Sequence, residues 1–273
     1  MLRVSCSVVP CLWAAAICHG SIYGIDFNGV LYDVSPATGQ ATNPRATGLV
    51  NPIDIEFSGD GTLYAVTANT TPGQMPGLWQ IDPGSGAPTF ISGVQGLDLG
   101  VMVEGDLAFG SGVMYSIGAA FSGTLRTISL ADGTTTPIGS NGFESDWSAL
   151  SFDASGSLFV VNTGAGGAPT STLLRLDPAT GATISSITLN QDLGGWAAMD
   201  LDPSTGTLYV ADGGIASPGT DSLYTLDTAT GTLTLVGSLE LADGLSGLAI
   251  IPEPATAVYA LIVCAIAAWR RQR

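Results

Sequence analysis

A short stretch recurs five times along this chain, and its spacing limits the fold more than any other feature. The copy Leu174-Arg175-Leu176-Asp177-Pro178-Ala179-Thr180-Gly181 has counterparts running Leu31 to Gly39, Leu78 to Gly86, Leu125 to Gly133 and Leu223 to Gly231. The closing glycines, Gly39, Gly86, Gly133, Gly181 and Gly231, stand 47, 47, 48 and 50 residues apart. A period of this length means stacked or radial repeats, in which one unit cannot bury its apolar face until a neighbour covers it.

Each copy opens with alternating residues, as in Leu223-Tyr224-Thr225-Leu226, the pattern of a strand with one buried face. A turn follows. Asp177 is placed to accept main-chain N–H groups, Pro178 presets φ, and Gly181 suits a positive φ. The stretch therefore reads as a hairpin, with the aspartate as a turn cap rather than a catalyst. A second element precedes it, Phe57-Ser58-Gly59-Asp60-Gly61-Thr62-Leu63-Tyr64-Ala65-Val66, with partners Phe109 to Ile117, Phe152 to Val161 and Leu201 to Ala211. It reads as another hairpin, turning at Gly61, Gly112, Gly156 and Gly206. Two hairpins give four strands per repeat, one propeller blade. The recurring Tyr23, Tyr64, Tyr115, Phe159 and Tyr209 are expected in the core.

The two ends of the repeat region complete each other. Ile22-Tyr23-Gly24-Ile25 matches the second strand of a blade whose first strand is missing, and Leu245 to Ile250 supplies that first strand. The expected fold is all-β: a five-bladed β-propeller over residues 21–251, with one blade closed by strands from both chain ends. Closure removes open sheet edges. An open solenoid is the alternative, and it leaves both half-repeats unpaired.

The termini differ in character from this region. Residues 1–20 read as a signal peptide: Arg3, an apolar run from Val4 to Ile17, then small residues before a cleavage point, with cleavage after Ala16 as the rival. In residues 252–273, Pro252-Glu253-Pro254 precedes an apolar run to Trp269 and the cluster Arg270, Arg271 and Arg273. As a helix that run rises about 22 Å, short against a hydrocarbon core of about 30 Å. The arginines are expected to stay cytoplasmic, leaving the propeller outside.

The tripeptide, the short helix and the terminal arginines together resemble a PEP-CTERM sorting signal. The resemblance covers about residues 251–273. It implies export in a Gram-negative bacterium, a transient stay in the inner membrane, and processing by signal peptidase and by an exosortase-type transpeptidase. It also implies association with exopolysaccharide and biofilm matrix, so that the mature protein sits at the cell surface or in the extracellular matrix. A plain C-terminal membrane anchor is the alternative. The repeat region resembles bacterial propellers of the YVTN or WD40-like type.

Composition excludes whole classes of chemistry. All four cysteines (Cys6, Cys11, Cys18 and Cys264) and the one histidine, His19, lie in the terminal segments, and the chain has no lysine. Residues 21–252 therefore have no disulfide, no Ser-His-Asp or Cys-His catalysis, no Schiff-base lysine, and no His- or Cys-ligated zinc or haem. Arg45, Arg126 and Arg175 face 22 acids there, a net charge of −19. Nucleic-acid binding needs a basic footprint and is not expected.

Carboxylates and hydroxyls remain. No cofactor is assigned, but oxygen donors suit Ca²⁺, which takes six to eight of them. Asp54, Glu104, Asp106, Glu144, Asp146, Asp192 and Asp243 lie at or near the starts of first strands, where chains converge on an axis, but they read as scattered, not as occupying equivalent repeat positions. Glu104, Glu144, Asp146, Trp147, Asp192, Trp196 and Asp243 form the expected ligand face, on the side where the inter-repeat loops emerge. Trp147 and Trp196 would stack on sugar rings there, or else pack between blades. Two functions stay open: a non-enzymatic exported binding or structural propeller, and a carboxylate-based, Ca²⁺-assisted hydrolase or lyase acting on polysaccharide. No catalytic residue is assigned.

Overall fold

The computed structural model describes residues 20–68, 76–94, 105–118, 123–143, 148–163, 171–193, 195–213, 221–242 and 244–251. Residues 1–19 of the expected signal segment, the Pro252-Glu253-Pro254 motif, the expected C-terminal helix and the terminal arginines lie outside them. Among the described residues no helix is long and apolar enough to cross a membrane.

The described residues form twenty strands in five four-stranded antiparallel sheets. Blade 1 contains β1 (Ser21–Ile25), β2 (Val30–Val34) and β3 (Ala41–Ala46), and its innermost strand is β20 (Gly247–Ile251). Blade 2 runs outward from β4 (Pro52–Phe57) through β5 (Leu63–Thr67) and β6 (Gly77–Ile81) to β7 (Pro88–Gly93). Blade 3 contains β8 (Gly105–Gly110), β9 (Val113–Gly118), β10 (Thr124–Ile128) and β11 (Thr135–Ser140). Blade 4 contains β12 (Ser148–Phe152), β13 (Leu158–Asn162), β14 (Thr172–Leu176) and β15 (Thr183–Thr188). Blade 5 contains β16 (Ala197–Asp202), β17 (Thr207–Asp212), β18 (Ser222–Asp227) and β19 (Thr232–Ser238). The two chain ends do meet in one blade: β1 pairs with β20 from Ser21 opposite Ile251 to Ile25 opposite Gly247. The ring is closed.

Apolar side chains gather at the five seams between blades rather than in one central mass. Leu173, Phe159 and Val161 of blade 4 meet Met199, Leu208 and Val210 of blade 5. The seam that joins the chain ends is built alike, with Tyr209, Ala211 and Leu223 against Ile22, Leu248 and Ile250. Burial at about 25 cal/mol per Å² of apolar surface makes each seam conditional on its neighbours, which is why five repeats cohere as one unit.

The recurrent turn behaves as its sequence requires. Ala179 N donates to Asp177 Oδ1 at 2.9 Å, Thr180 Oγ1 donates to Asp177 Oδ2 at 2.8 Å, and Gly181 has φ +73°. The glycine has a second duty. A Cβ on Gly181 would lie 2.5 Å from the carbonyl oxygen of Gly139 on the outer strand of the preceding blade. The turn is both a left-handed corner and an inter-blade contact. Outward, every third-to-fourth strand pair carries a register shift. Bulges of this kind, with Pro44 on β3 and Pro137 on β11, blunt the exposed edges against pairing with other chains.

Candidate functional site: a carboxylate-lined axis

The innermost strands β4, β8, β12, β16 and β20 surround the axis, each packed against the two beside it. Their free edges present unpaired N–H groups at a dry centre, where an unsatisfied amide costs about 1–3 kcal/mol. Carboxylates meet this need. Asp54 Oδ2 accepts Leu107 N at 2.7 Å from blade 3, and Asp54 Oδ1 accepts Leu248 N at 3.3 Å from blade 1. Asp106 accepts the N–H of Leu150 in blade 4. Asp200 Oδ2 accepts Ile250 N at 2.6 Å, tying blade 5 to blade 1. Glu56 accepts the N–H of Phe109.

The register explains the placement. Asp54, Asp106, Ala149, Ala198 and Gly247 occupy one layer, opposite Val66, Ile117, Val161, Ala211 and Ile25. Glu56, Ala108, Ser151, Asp200 and Ala249 occupy the layer two residues on, opposite the recurring aromatics Tyr64, Tyr115, Phe159, Tyr209 and Tyr23. Gly247 is small for a reason: a Cβ there would lie 2.5 Å from Asp54 Oδ1. Asp54 and Asp106 thus do share a repeat position, a correction to the reading that the acids near the first strands are scattered. Their carboxyls also hydrogen-bond each other.

Burial dominates the ionisation of these groups. It pushes Asp54 up to about 7 and Asp200 up to about 8, against the opposing effect of the N–H groups they accept. Glu56 is held well above the usual carboxylate range by burial and then by the charges of Asp200 and Asp54. Asp106 is raised likewise by burial and then by Asp54. Near neutral pH the axis therefore holds protons that free carboxyls would release.

The two ends of the axis differ. At the starts of the inner strands a space of only about 10 Å³ remains, lined by Ile53, Gly105, Ser148, Ala197 and Ser246 and by the pair Phe27 and Trp196. These two rings meet at a tilt of 46° with centroids 3.8 Å apart. At the other end lies a pocket of about 500 Å³. Buried Glu56, Ser151 and Asp200 line its depth, Phe57, Phe109 and Phe152 its walls, and exposed Asp60 and Pro203 its mouth. Ser151 Oγ lies 3.5 Å from Asp200 Oδ1.

Of the expected ligand face, Asp192 and Trp196 are described. Asp192 Oδ1 accepts Ser171 N at 3.0 Å and Ser171 Oγ at 2.7 Å, which braces the loop before β16 against the start of β14. Trp196 packs on Phe27. Neither lines the large pocket, which opens at the opposite end. Glu104, Glu144, Asp146, Trp147 and Asp243 lie outside the described residues. Among the described residues no group of three or more His, Cys, Asp or Glu side chains is placed to hold a metal ion, so the Ca²⁺ expectation finds no ligand set there. Sequence reasoning passed over Glu56 and Asp200. The available signal was their shared place in the repeat, directly across from the recurring aromatic.

The chain matches no protein-family model and no curated protein. Among solved structures it is similar to a structural-genomics protein of unknown function from Bacteroides thetaiotaomicron VPI-5482, at 13% identity and TM-score 0.49 over 85% of this chain and 62% of that one. It is also similar to an auxiliary nutrient binding protein from Bacteroides ovatus ATCC 8483, at 13% identity and TM-score 0.46 over 88% and 64%. In both cases this chain spans less than two thirds of the other's length.

Proposed function

We propose that the chain is an exported, non-enzymatic binding propeller of the cell envelope or extracellular matrix. In this reading residues 1–20 direct export, and an exosortase-type transpeptidase cuts near Pro252-Glu253-Pro254. The freed propeller then holds exopolysaccharide or another surface partner. The non-enzymatic half rests on one observation: Asp54, Asp106 and Asp200 each accept a main-chain N–H from a neighbouring blade. A nucleophile or general base needs a lone pair facing substrate, and Asp54 and Asp106 face amides and do not line the large pocket. The absence of Cys, His and Lys from residues 21–252 points the same way. The test is mass spectrometry of cytoplasm, membrane and medium from the native host, with capture of the host's polysaccharide by the protein. A product in the medium or on the surface, lacking about the first 20 residues and the C-terminal segment, is the expected result. An intact C-terminus retained in the membrane would count against it.

A second reading, a carboxylate-based polysaccharide hydrolase or lyase, is favoured by the presence of Glu56 and Asp200 in one pocket. Such chemistry uses two carboxyl groups of unequal pKa. It requires turnover across a glycan panel, with or without Ca²⁺, that disappears in Asp200→Asn.

A further inference from the structure

The pocket at the open end of the axis joins apolar walls to acids that no cation answers. The arginines of the folded region, Arg45, Arg126 and Arg175, stand on β3, β10 and β14, in the outer half of their blades. No lysine or histidine occurs between residues 21 and 251. Glu56 and Asp200 are 5% and 6% exposed, and the carboxyl groups facing them are one another and Asp54, with Asp60 at the mouth.

Three ligand classes separate on this chemistry. An anion meets only acids. A Ca²⁺ ion needs six to eight oxygen ligands, and the described residues offer no such cluster. An organic cation needs only one or two carboxyl groups to meet its charge. It also gains from aromatic faces, and Phe57, Phe109 and Phe152 line the walls. About 500 Å³ lies within the range of small-molecule sites.

We infer that this pocket binds a small organic ammonium ion, with its charged head against Glu56 and Asp200 and its apolar body against Phe57, Phe109 and Phe152. The inference rests on the reading of the propeller as a binding protein and names the ligand class of its pocket. An ammonium head takes the place of a proton held by the buried acids, so one proton leaves to solvent as the ligand enters.

Titration calorimetry on the full chain tests this with three probes: hexylammonium, its neutral counterpart hexanol, and glucose. Hexylammonium is expected to bind at least about tenfold tighter than hexanol. Its heat should change with the ionisation enthalpy of the buffer, because a proton is released. Glu56→Gln and Asp200→Asn keep shape and remove charge, and each should weaken hexylammonium by about tenfold or more while leaving hexanol unchanged. Thermal melts of both variants verify the fold. Equal binding of hexylammonium and hexanol, or hexylammonium binding that neither variant alters, overturns the inference. Glucose binding in place of ammonium overturns the ligand class and leaves a binding function. Silence from every probe also overturns the inference, while the exported-binder reading is judged separately by the fractionation and polysaccharide capture.

Discussion

Asp177 at the rim and Asp54 at the axis both accept main-chain N–H groups, yet their surroundings drive them in opposite directions. Asp177 is half-exposed, and the Ala179 N–H and the Thr180 hydroxyl hold its carboxyl below the usual range. Asp227 and Asp82 repeat the arrangement in their own blades. Asp54 accepts two N–H groups from two neighbouring blades, and burial still pushes it up to about 7. The hydrogen bonds are alike. Water decides the outcome, because at the rim it shares the charge and at the axis it is excluded.

The largest expected effect is a pH dependence whose two limbs belong to the two regions. Asp54 and Asp200 have folded values near 7 and 8, against 3.8 for the free group. Their contribution is fully present below about pH 4 and is lost as pH rises through the folded values, because the unfolded chain releases protons that the folded one keeps. The rim aspartates are lowered, so their contribution is present above the usual carboxylate range and is lost as pH falls below about 4. Stability measured by denaturant unfolding should therefore peak near about pH 4–5 and fall by several kcal/mol toward about pH 9. The double variant Asp54→Asn/Asp200→Asn should make the alkaline limb shallower, with Glu56 and Asp106 keeping the remainder, and leave the acid limb unchanged. A profile that is flat above about pH 5 in the unaltered protein would break the comparison.

The next effect separates charge from hydrogen bonding at the axis. Asp54→Ala leaves Leu248 N without its side-chain acceptor and Leu107 N with only Asp106 Oδ1 at 3.0 Å, and about 2 kcal/mol should be lost. Asp54→Asn keeps one acceptor oxygen and needs no proton, so its cost near pH 7 should be less than half of that. Equal losses in the two variants would mean that shape, not amide satisfaction, fixes this position.

The rim was legible in the sequence and the axis only in part, for a physical reason. Asp177, Pro178 and Gly181 act through bonds to residues two to five positions away, so their pattern states their role. The same holds for the strand count, and for closure through Ile22 and Leu248, since half-repeats at both ends left one arrangement that satisfies both. Glu56 and Asp200 act across blades. Their partners, Phe109 and Ile250, are about 50 residues away, and nothing in the local stretch announces the contact. Asp54 and Asp106 were visible as acids near the axis, but the sequence pattern pointed to a cation rather than to amides as what they meet. The end of the axis that holds the pocket was also not legible. It depends on Phe27 and Trp196 meeting across 169 residues of chain.

Gly247 offers a smaller break of the same comparison. It stands in the Asp54 layer with no positive φ, so only space forbids a side chain there. A Cβ would lie 2.5 Å from Asp54 Oδ1 and 2.7 Å from Asp54 Cα. Gly247→Ala should cost about 2 kcal/mol by overpacking, and Asp54→Asn should not recover it because the Cα clash remains. A neutral Gly247→Ala in denaturant unfolding would mean that β20 can move away from β4 without losing the Leu248 brace.

The smallest effect belongs to Asp177, the residue most conspicuous in the sequence. Its side chain accepts from Ala179 N and Thr180 Oγ1, but the turn is closed by main-chain bonds that the side chain does not make. Gly181 N donates to Asp177 O at 2.8 Å, and Asp177 N donates to Ala182 O at 2.9 Å. Pro178 and the positive φ of Gly181 persist in Asp177→Ala, and water can reach the two freed donors. The melting temperature should fall by no more than about 2 °C, and the acid limb of the pH profile should become slightly shallower with the alkaline limb unchanged. If Asp177→Ala instead lowers stability as much as Asp54→Ala, exposure is not what separates the two regions. The turn would then have to contribute through its contact with the neighbouring blade at Gly139.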